Sequence, residues 1–191
     1  MTEVFSVAGN TLIVRFQGEV IVIAPWGPDA LRVRARPGLD VVDPHVSALH
    51  PAEDIETSIT RTDTRATISN GLITAEVRLR RRLGADVPKE PQIRFLHSHT
   101  GAELLSETRN HFAGPGPRSY KAGASASFAL EATFAAYPDE QIMGLGQPQH
   151  GLEDLKGTST TLLQQNTHVV VPFIMSSRGY GFLWNNPAIG R

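Results

Sequence analysis

The chain contains no cysteine, which excludes a disulfide framework, a thiol nucleophile and a Cys-ligated zinc site. No apolar run approaches the roughly 20 residues that cross a bilayer, and the start, Met1-Thr2-Glu3-Val4-Phe5, has no basic segment leading into an apolar stretch. From these absences the expectation is a cytoplasmic protein with no membrane partner. A basic excess is missing too. The 18 Lys and Arg stand against 19 Asp and Glu, for a net charge of -1, so nothing here is built to neutralise the phosphates of a nucleic acid, and neutral ligands fit better. What is present in ordinary amount is apolar side chain, 40% of 191 residues, enough for a core and too much for a disordered chain. The length suits one domain, and 17 Gly with 13 Pro promise frequent turns.

The dominant sequence period is two, the signature of a pleated strand with one face in and one face out. Leu12, Val14 and Phe16 alternate with Ile13, Arg15 and Gln17, and Gly18-Glu19 turns the chain into Val20-Ile21-Val22-Ile23. Leu31 to Arg36 alternates apolar residues with Arg, which predicts one buried and one solvated face. A connector follows over 39–57. Short Thr-rich strands are expected over Ser58–Asp63 and Arg65–Ser69, then a tight turn at Asn70-Gly71, then a strand in which Ile73, Ala75, Val77 and Leu79 face the core while Thr74, Glu76 and Arg78 face water. Ile93 and Phe95 begin the next strand. Residues 106–124, with Gly114-Pro115-Gly116-Pro117, read as a long surface excursion. Phe128 to Phe134, Thr160–Gln165, Val169–Met175 and Tyr180–Trp184 are the remaining strand candidates. No segment shows an amphipathic helical repeat, and about ten strands separated by turn residues predict an all-β protein, a large antiparallel β-sandwich.

Local motifs exclude several chemistries. Gly144-Leu145-Gly146 would need a third glycine at position 149 to make a dinucleotide loop, and Gln149 stands there. No phosphate-loop Gly-Lys-Ser/Thr segment occurs, and Gly123 to Ser127 lacks the closing glycine of a nucleophile elbow. No cofactor is therefore expected. His97-Ser98-His99 offers two imidazoles but no further ligands for a metal, and reads as a polar strand end running into Thr100-Gly101. Arg80-Arg81-Arg82 reads as solvated strand and turn. The stretch from Asp139 to Asn186 differs in kind: Gln147, Gln149, His150, Gln164, Gln165, Asn166 and His168 supply neutral donors and acceptors suited to polyhydroxylated ligands. Tyr180, Phe182 and Trp184 could stack on a sugar, although Phe182 and Trp184 share a strand face and read first as core.

The run Tyr137-Pro138-Asp139-Glu140-Gln141-Ile142-Met143-Gly144-Leu145-Gly146-Gln147, then Leu155-Lys156-Gly157, Gln165-Asn166-Thr167, Pro172-Phe173 and Ser176-Ser177-Arg178-Gly179-Tyr180-Gly181-Phe182-Leu183-Trp184-Asn185-Asn186-Pro187, resembles glycoside hydrolase family 31. The likeness is to the N-terminal, galactose-mutarotase-like β-sandwich that precedes the catalytic barrel in α-glucosidases and α-xylosidases. Leu31-Arg32-Val33-Arg34, and the segment from Gly71-Leu72-Ile73 to Leu104-Leu105-Ser106-Glu107, fit weaker blocks of the same family. The resemblance implies that residues 1–191 are that sandwich, a fragment of a longer hydrolase whose catalytic barrel is absent. Gln147 after the Gly-Leu-Gly looks closer to bacterial α-xylosidase-like members.

A retaining glycosidase needs two carboxyl groups roughly 5–5.5 Å apart. In the family both are barrel aspartates, and the nucleophile motif, Asp followed shortly by Asn-Glu, occurs nowhere in these residues. The resemblance thus implies no catalytic residue on this chain and no metal. Its implied partners are its own barrel and an α-linked oligosaccharide, with a candidate substrate-facing loop made by Gln147, Gln149, His150, Gln165 and Asn166. Two alternatives stay open. One is a stand-alone carbohydrate-binding module using open aromatics. The other is a mutarotase-like enzyme pairing His97 or His150 with Glu103 or Glu153.

Overall fold

The computed structural model describes residues 3–38, 41, 55–81, 88–109, 116–124, 127–147, 149–186 and 188–191. Most of the connector expected over 39–57, the Gly114-Pro115 turn and Arg82 lie outside them. The described residues form fourteen strands and no helix, an all-β antiparallel sandwich as the alternation predicts. The chain divides into two compact units, residues 1–45 with 50–135, and residues 46–49 with 136–191.

In the first unit, β1 (Phe5–Ala8), β2 (Thr11–Phe16), β3 (Glu19–Pro25) and β4 (Leu31–Pro37) form one meander, and β5 (Ser58–Arg61), β6 (Arg65–Asn70), β7 (Ile73–Arg81), β8 (Pro88–His97) and β9 (Glu103–Ser106) form another. Their inner faces share one core. Phe5, Leu12, Val14, Ile21 and Ile23 from the first sheet meet Ala66, Ile68, Ala75, Val77, Leu79 and Ile93 from the second. Leu12 and Val14 of β2, Ala66 and Ile68 of β6, and Ala75, Val77 and Leu79 of β7 stand at alternate positions of their strands, which is what a period of two requires. Each Val, Leu, Ile or Phe side chain among them contributes roughly 1.5–3 kcal/mol by leaving water.

Two expectations about solvated faces are corrected here. All seven residues of β4 are half-buried instead of alternating. The register sets Arg34 against Val22 and Arg36 against Val20, and Val20 and Val22 are themselves buried, so the arginine stems of β4 lie beside apolar neighbours. On β7, Glu76 is fully buried where a wet position was expected. Arg65 and Arg94 pair with it, and the Arg78 Nε lies 2.6 Å from its Oε1. Burial alone pushes the Glu76 carboxyl up, but the hydrogen bonds and charges of Arg94 and Arg78 outweigh it and hold the group below its usual range.

The excursion over 106–124 is also corrected. Arg118–Ala122 is a strand, β10, pairing with β11 (Phe128–Ala132) in a two-stranded ribbon. The ribbon is fastened by charge. Arg118, with a side chain only 6% exposed, donates to Glu19 at 2.8 and 3.1 Å, to Glu107 and to the Pro91 carbonyl. The Tyr120 hydroxyl donates to Glu19 at 2.7 Å, and Glu107 accepts the Ile93 amide at 2.7 Å. The Asn70-Gly71 turn forms as expected and does more than reverse the chain. The Asn70 side chain donates to the carbonyls of Gly27 and Ala30, and Leu72 N–H donates to Asp29, so the turn also pins the loop between β3 and β4.

The second unit holds one three-stranded sheet, β12 (Ile142–Gln147), β13 (Val169–Ser176) and β14 (Tyr180–Leu183), with β13 in the middle. A proline in a central strand costs a ladder bond unless the pairing is irregular there. It is irregular. Gly144 pairs with Ile174 and Gly146 with Val170, so Leu145 alone opposes Val171, Pro172 and Phe173, and Pro172 lies within the irregular stretch of β13. Thr160–Gln165, expected as a strand, makes only isolated bridges, Leu162 to Gly190 and Gln165 to His168.

Candidate functional site

The amides singled out in the sequence gather at one end of the β12–β13 pair. Gly144, Leu145 and Gly146 have φ of 123°, 63° and 85°, a run that bends β12 as it reaches Gln147. The glycines are required by contact as well as by φ. A Cβ on Gly144 would sit 2.4 Å from the Phe173 carbonyl oxygen, and one on Gly146 would sit 2.2 Å from that of Val169. Gln147 then lies in register with Val169.

From the other side comes the turn Gln165-Asn166-Thr167-His168, closed by the His168 amide donating to the Gln165 carbonyl at 3.2 Å. Asn166 stands exposed in the turn and Thr167 takes φ 69°. Gln149 Nε2 donates to the Thr167 carbonyl at 3.4 Å, so Gln147, Gln149, Gln165 and Asn166 come to one exposed place. His150 does not join them by a bond. Its Nδ1 accepts the Leu152 amide at 3.0 Å and serves its own loop. Gln164 is scaffold: its side chain donates to the His168 carbonyl and accepts the Val170 amide at 3.1 Å. That side-chain competition for backbone partners accounts for the missing strand at 160–165.

Two positioning residues were not legible beforehand. Asp154 accepts the amides of Ile142 and Lys156, each at 3.0 Å, which anchors the start of β12 to the following loop and lowers the Asp154 carboxyl from its ordinary range. An acidic residue two positions before Lys156 is a local turn signal that could have found it. Glu140 is buried and accepts from the Ser176 hydroxyl and, at 2.7 Å, from the Tyr180 hydroxyl. Burial first, and then the bond to Glu140, push the Tyr180 phenol up to about 12.

The aromatics are neither the core nor the open platform considered above. Tyr180, Phe182 and Trp184 are half-buried, Tyr180 gives its hydroxyl to Glu140, and the rings of Phe182 and Trp184 stack with centroids 6.2 Å apart. The acid/base pairs considered for a mutarotase-like enzyme find other partners: Glu103 faces Arg94 at 3.5 Å, and His97 Nδ1 accepts the His99 amide at 3.3 Å. Among the described residues no group of three or more His, Cys, Asp or Glu converges as a metal site would.

What this arrangement can do is present neutral amides, on a strained and well-anchored strand end, to something uncharged and rich in hydroxyls. No family model matches the chain. It is 33% identical over 192 residues to an uncharacterized family 31 glucosidase of Pseudescherichia vulneris, covering 95% of this chain and 35% of that protein. It is 33% identical over 207 residues to α-xylosidase A of Aspergillus niger, covering 96% and 26%. Among solved structures, a family 31 α-xylosidase from a soil metagenome, complexed with xylose, superimposes with a TM-score of 0.82 at 34% identity over 97% of this chain and 28% of that one. The fold is therefore a family 31 type of β-sandwich. By sequence and by fold the chain is similar to part of glycoside hydrolase family 31 proteins, and it spans about a third or less of the length of these relatives.

Proposed function

We propose that the chain is the non-catalytic N-terminal β-sandwich of a retaining α-glycosidase, of α-xylosidase or α-glucosidase type, and that the catalytic barrel lies elsewhere in a longer polypeptide. The observation that carries this is the pattern of coverage: relatives match nearly all of this chain while the chain accounts for 26% and 35% of the two curated ones. The buried carboxylates support it. Glu76 is held by three arginines, Glu107 by Arg118 and the Ile93 amide, and Glu140 by two hydroxyls. Each is taken up by partners within these residues.

In this reading Gln147, Gln149, Gln165 and Asn166 form a wall beside the sugar pocket, donating to and accepting from hydroxyls of an α-linked oligosaccharide. Neutral amides orient such a ligand without the desolvation cost of a charge. No cofactor is involved. The test is kinetic, in the longer polypeptide. Replacing Gln149 or Asn166 by Ala removes one or two hydrogen bonds to substrate at about 0.5–1.5 kcal/mol each, so kcat/KM for an α-linked disaccharide falls about three- to tenfold. The stereochemistry stays retaining. Unchanged kcat/KM in both variants would remove these amides from the pocket, and inversion at the anomeric carbon would overturn the mechanism.

A further inference from the structure

The only Asn-Gly pair in the 191 residues, Asn70-Gly71, sits where the two sheets of the first unit are clasped together. Asn70 is 3% exposed. Its Nδ2 donates to the Gly27 carbonyl at 2.9 Å and to the Ala30 carbonyl at 2.7 Å, both in the loop between β3 and β4. Beside it, Leu72 N–H donates to Asp29 of the same loop at 2.6 Å. The residue after Asn70 is held to glycine, because position 71 takes φ 53° and a Cβ there would collide with the Asp29 carboxylate that Leu72 binds. The clasp therefore forces asparagine, a thermolabile residue, next to a residue with no side chain to shield its backbone nitrogen.

That juxtaposition has a chemistry of its own. The Gly71 nitrogen can attack Asn70 Cγ: a bond forms between them, the nitrogen gives up its proton, the Cγ–Nδ2 bond breaks and Nδ2 leaves as ammonia. Water then opens the cyclic imide to aspartate or iso-aspartate at position 70. The attack needs the Asn70 side chain to turn away from the Gly27 and Ala30 carbonyls, so both hydrogen bonds must be given up first. We propose that Asn70 is a deamidation site gated by the β3–β4 loop: the closed clasp withholds it, local opening of the loop exposes it, and conversion prevents the clasp from closing again. The product carboxylate has no proton to donate and would face two carbonyl oxygens in a buried place, which disfavours the closed form. The loop reports its own release, since the Ala30 carbonyl also accepts the Trp26 amide at 3.0 Å, and the Arg32 guanidinium lies 4.4 Å from the centre of the Trp26 ring.

The test is mass spectrometry of the chain aged in mildly alkaline buffer, with a free peptide of residues 66–78 as the ungated reference. Amide-to-acid conversion at Asn70 should run roughly tenfold or more slower in the folded chain than in the peptide. Asp29→Ala, which removes the Leu72 acceptor, should speed it about three- to tenfold in the folded chain. Asp29→Asn keeps an acceptor and tolerates the φ of 57° at that position, so it should stay near the unaltered rate. Asn70→Asp should speed hydrogen exchange of the Trp26 amide about tenfold or more. Where that variant fails to fold, the converted fraction of the aged chain, separated by its added negative charge, gives the same reading. Equal conversion in chain and peptide would overturn the gate, and so would an Asp29→Ala rate that does not move. Unchanged exchange at Trp26 after conversion would overturn the opening of the clasp.

Discussion

The two units treat the same alternating pattern in opposite ways. In the first, two sheets face each other, and Leu12, Val14, Ile21, Ile23, Ile68, Val77 and Ile93 are fully buried between them. In the second, a sheet at least as apolar in sequence leaves Val171, Phe173 and Met175 exposed, and Leu155 is its only buried large aliphatic among the described residues. The difference teaches that period two specifies a strand but not its cover. Cover comes from a second layer, and among the described residues only the first unit supplies one from within itself.

The contrast can be broken in several places, and the largest effect belongs to a charge. Arg118→Ala leaves Glu107 and Glu19 facing each other with no cation, and should destabilise the first unit by about 3–5 kcal/mol in urea unfolding followed by tryptophan fluorescence. Conversely, a loss below about 1 kcal/mol would mean that the ribbon is held by its backbone pairing alone. Next in size is a matched pair. Ile23→Ala should cost about 2–5 kcal/mol, whereas Phe173→Ala in the 191-residue chain should cost under about 1 kcal/mol, as an exposed side chain does. The same Phe173→Ala change in the longer polypeptide should approach the Ile23→Ala value. Equal costs at the two sites in the short chain would erase the distinction between the units.

Smaller again is Gly146→Ala. Its Cβ meets the Val169 carbonyl at a φ that L-residues avoid, so about 1–3 kcal/mol is expected, confined to the second unit and visible as faster amide exchange in β12 and β13. The smallest effect is a titration. The Tyr180 phenol is raised from 10.0 to about 12, so the neutral form is favoured in the folded state. Its contribution is fully present below pH 10 and is lost as pH rises through about 12. Phenolate absorbance should show Tyr180 ionising late, and Glu140→Gln should bring it earlier. Ionisation near 10 in the unaltered chain would contradict the buried hydrogen bond.

Much of the first unit was legible because local alternation and turn chemistry suffice where a strand has one buried face, as in β2, β6 and β7. What escaped notice depends on partners distant in sequence. β10 is set by Arg118 and Tyr120 reaching Glu19, about a hundred residues away and invisible to any window. Glu76 looked solvated because no local rule anticipates three arginines arriving from β6, β7 and β8. β12 is a strand in spite of its glycines, which serve close approach to β13. In the amide cluster, residue types were legible but not their grouping. Gln149 reaches the 165–168 turn through a contact that only the fold makes, and His150 turns away into its own loop.

The most direct measurement is hydrolysis of an aryl α-xyloside and an aryl α-glucoside by the 191-residue chain and by the longer polypeptide, side by side. If the sandwich is an accessory wall, only the longer polypeptide turns over, with retention at the anomeric carbon. Sustained retaining hydrolysis by the 191 residues alone would contradict that, and would put the reacting carboxylates in the sandwich itself.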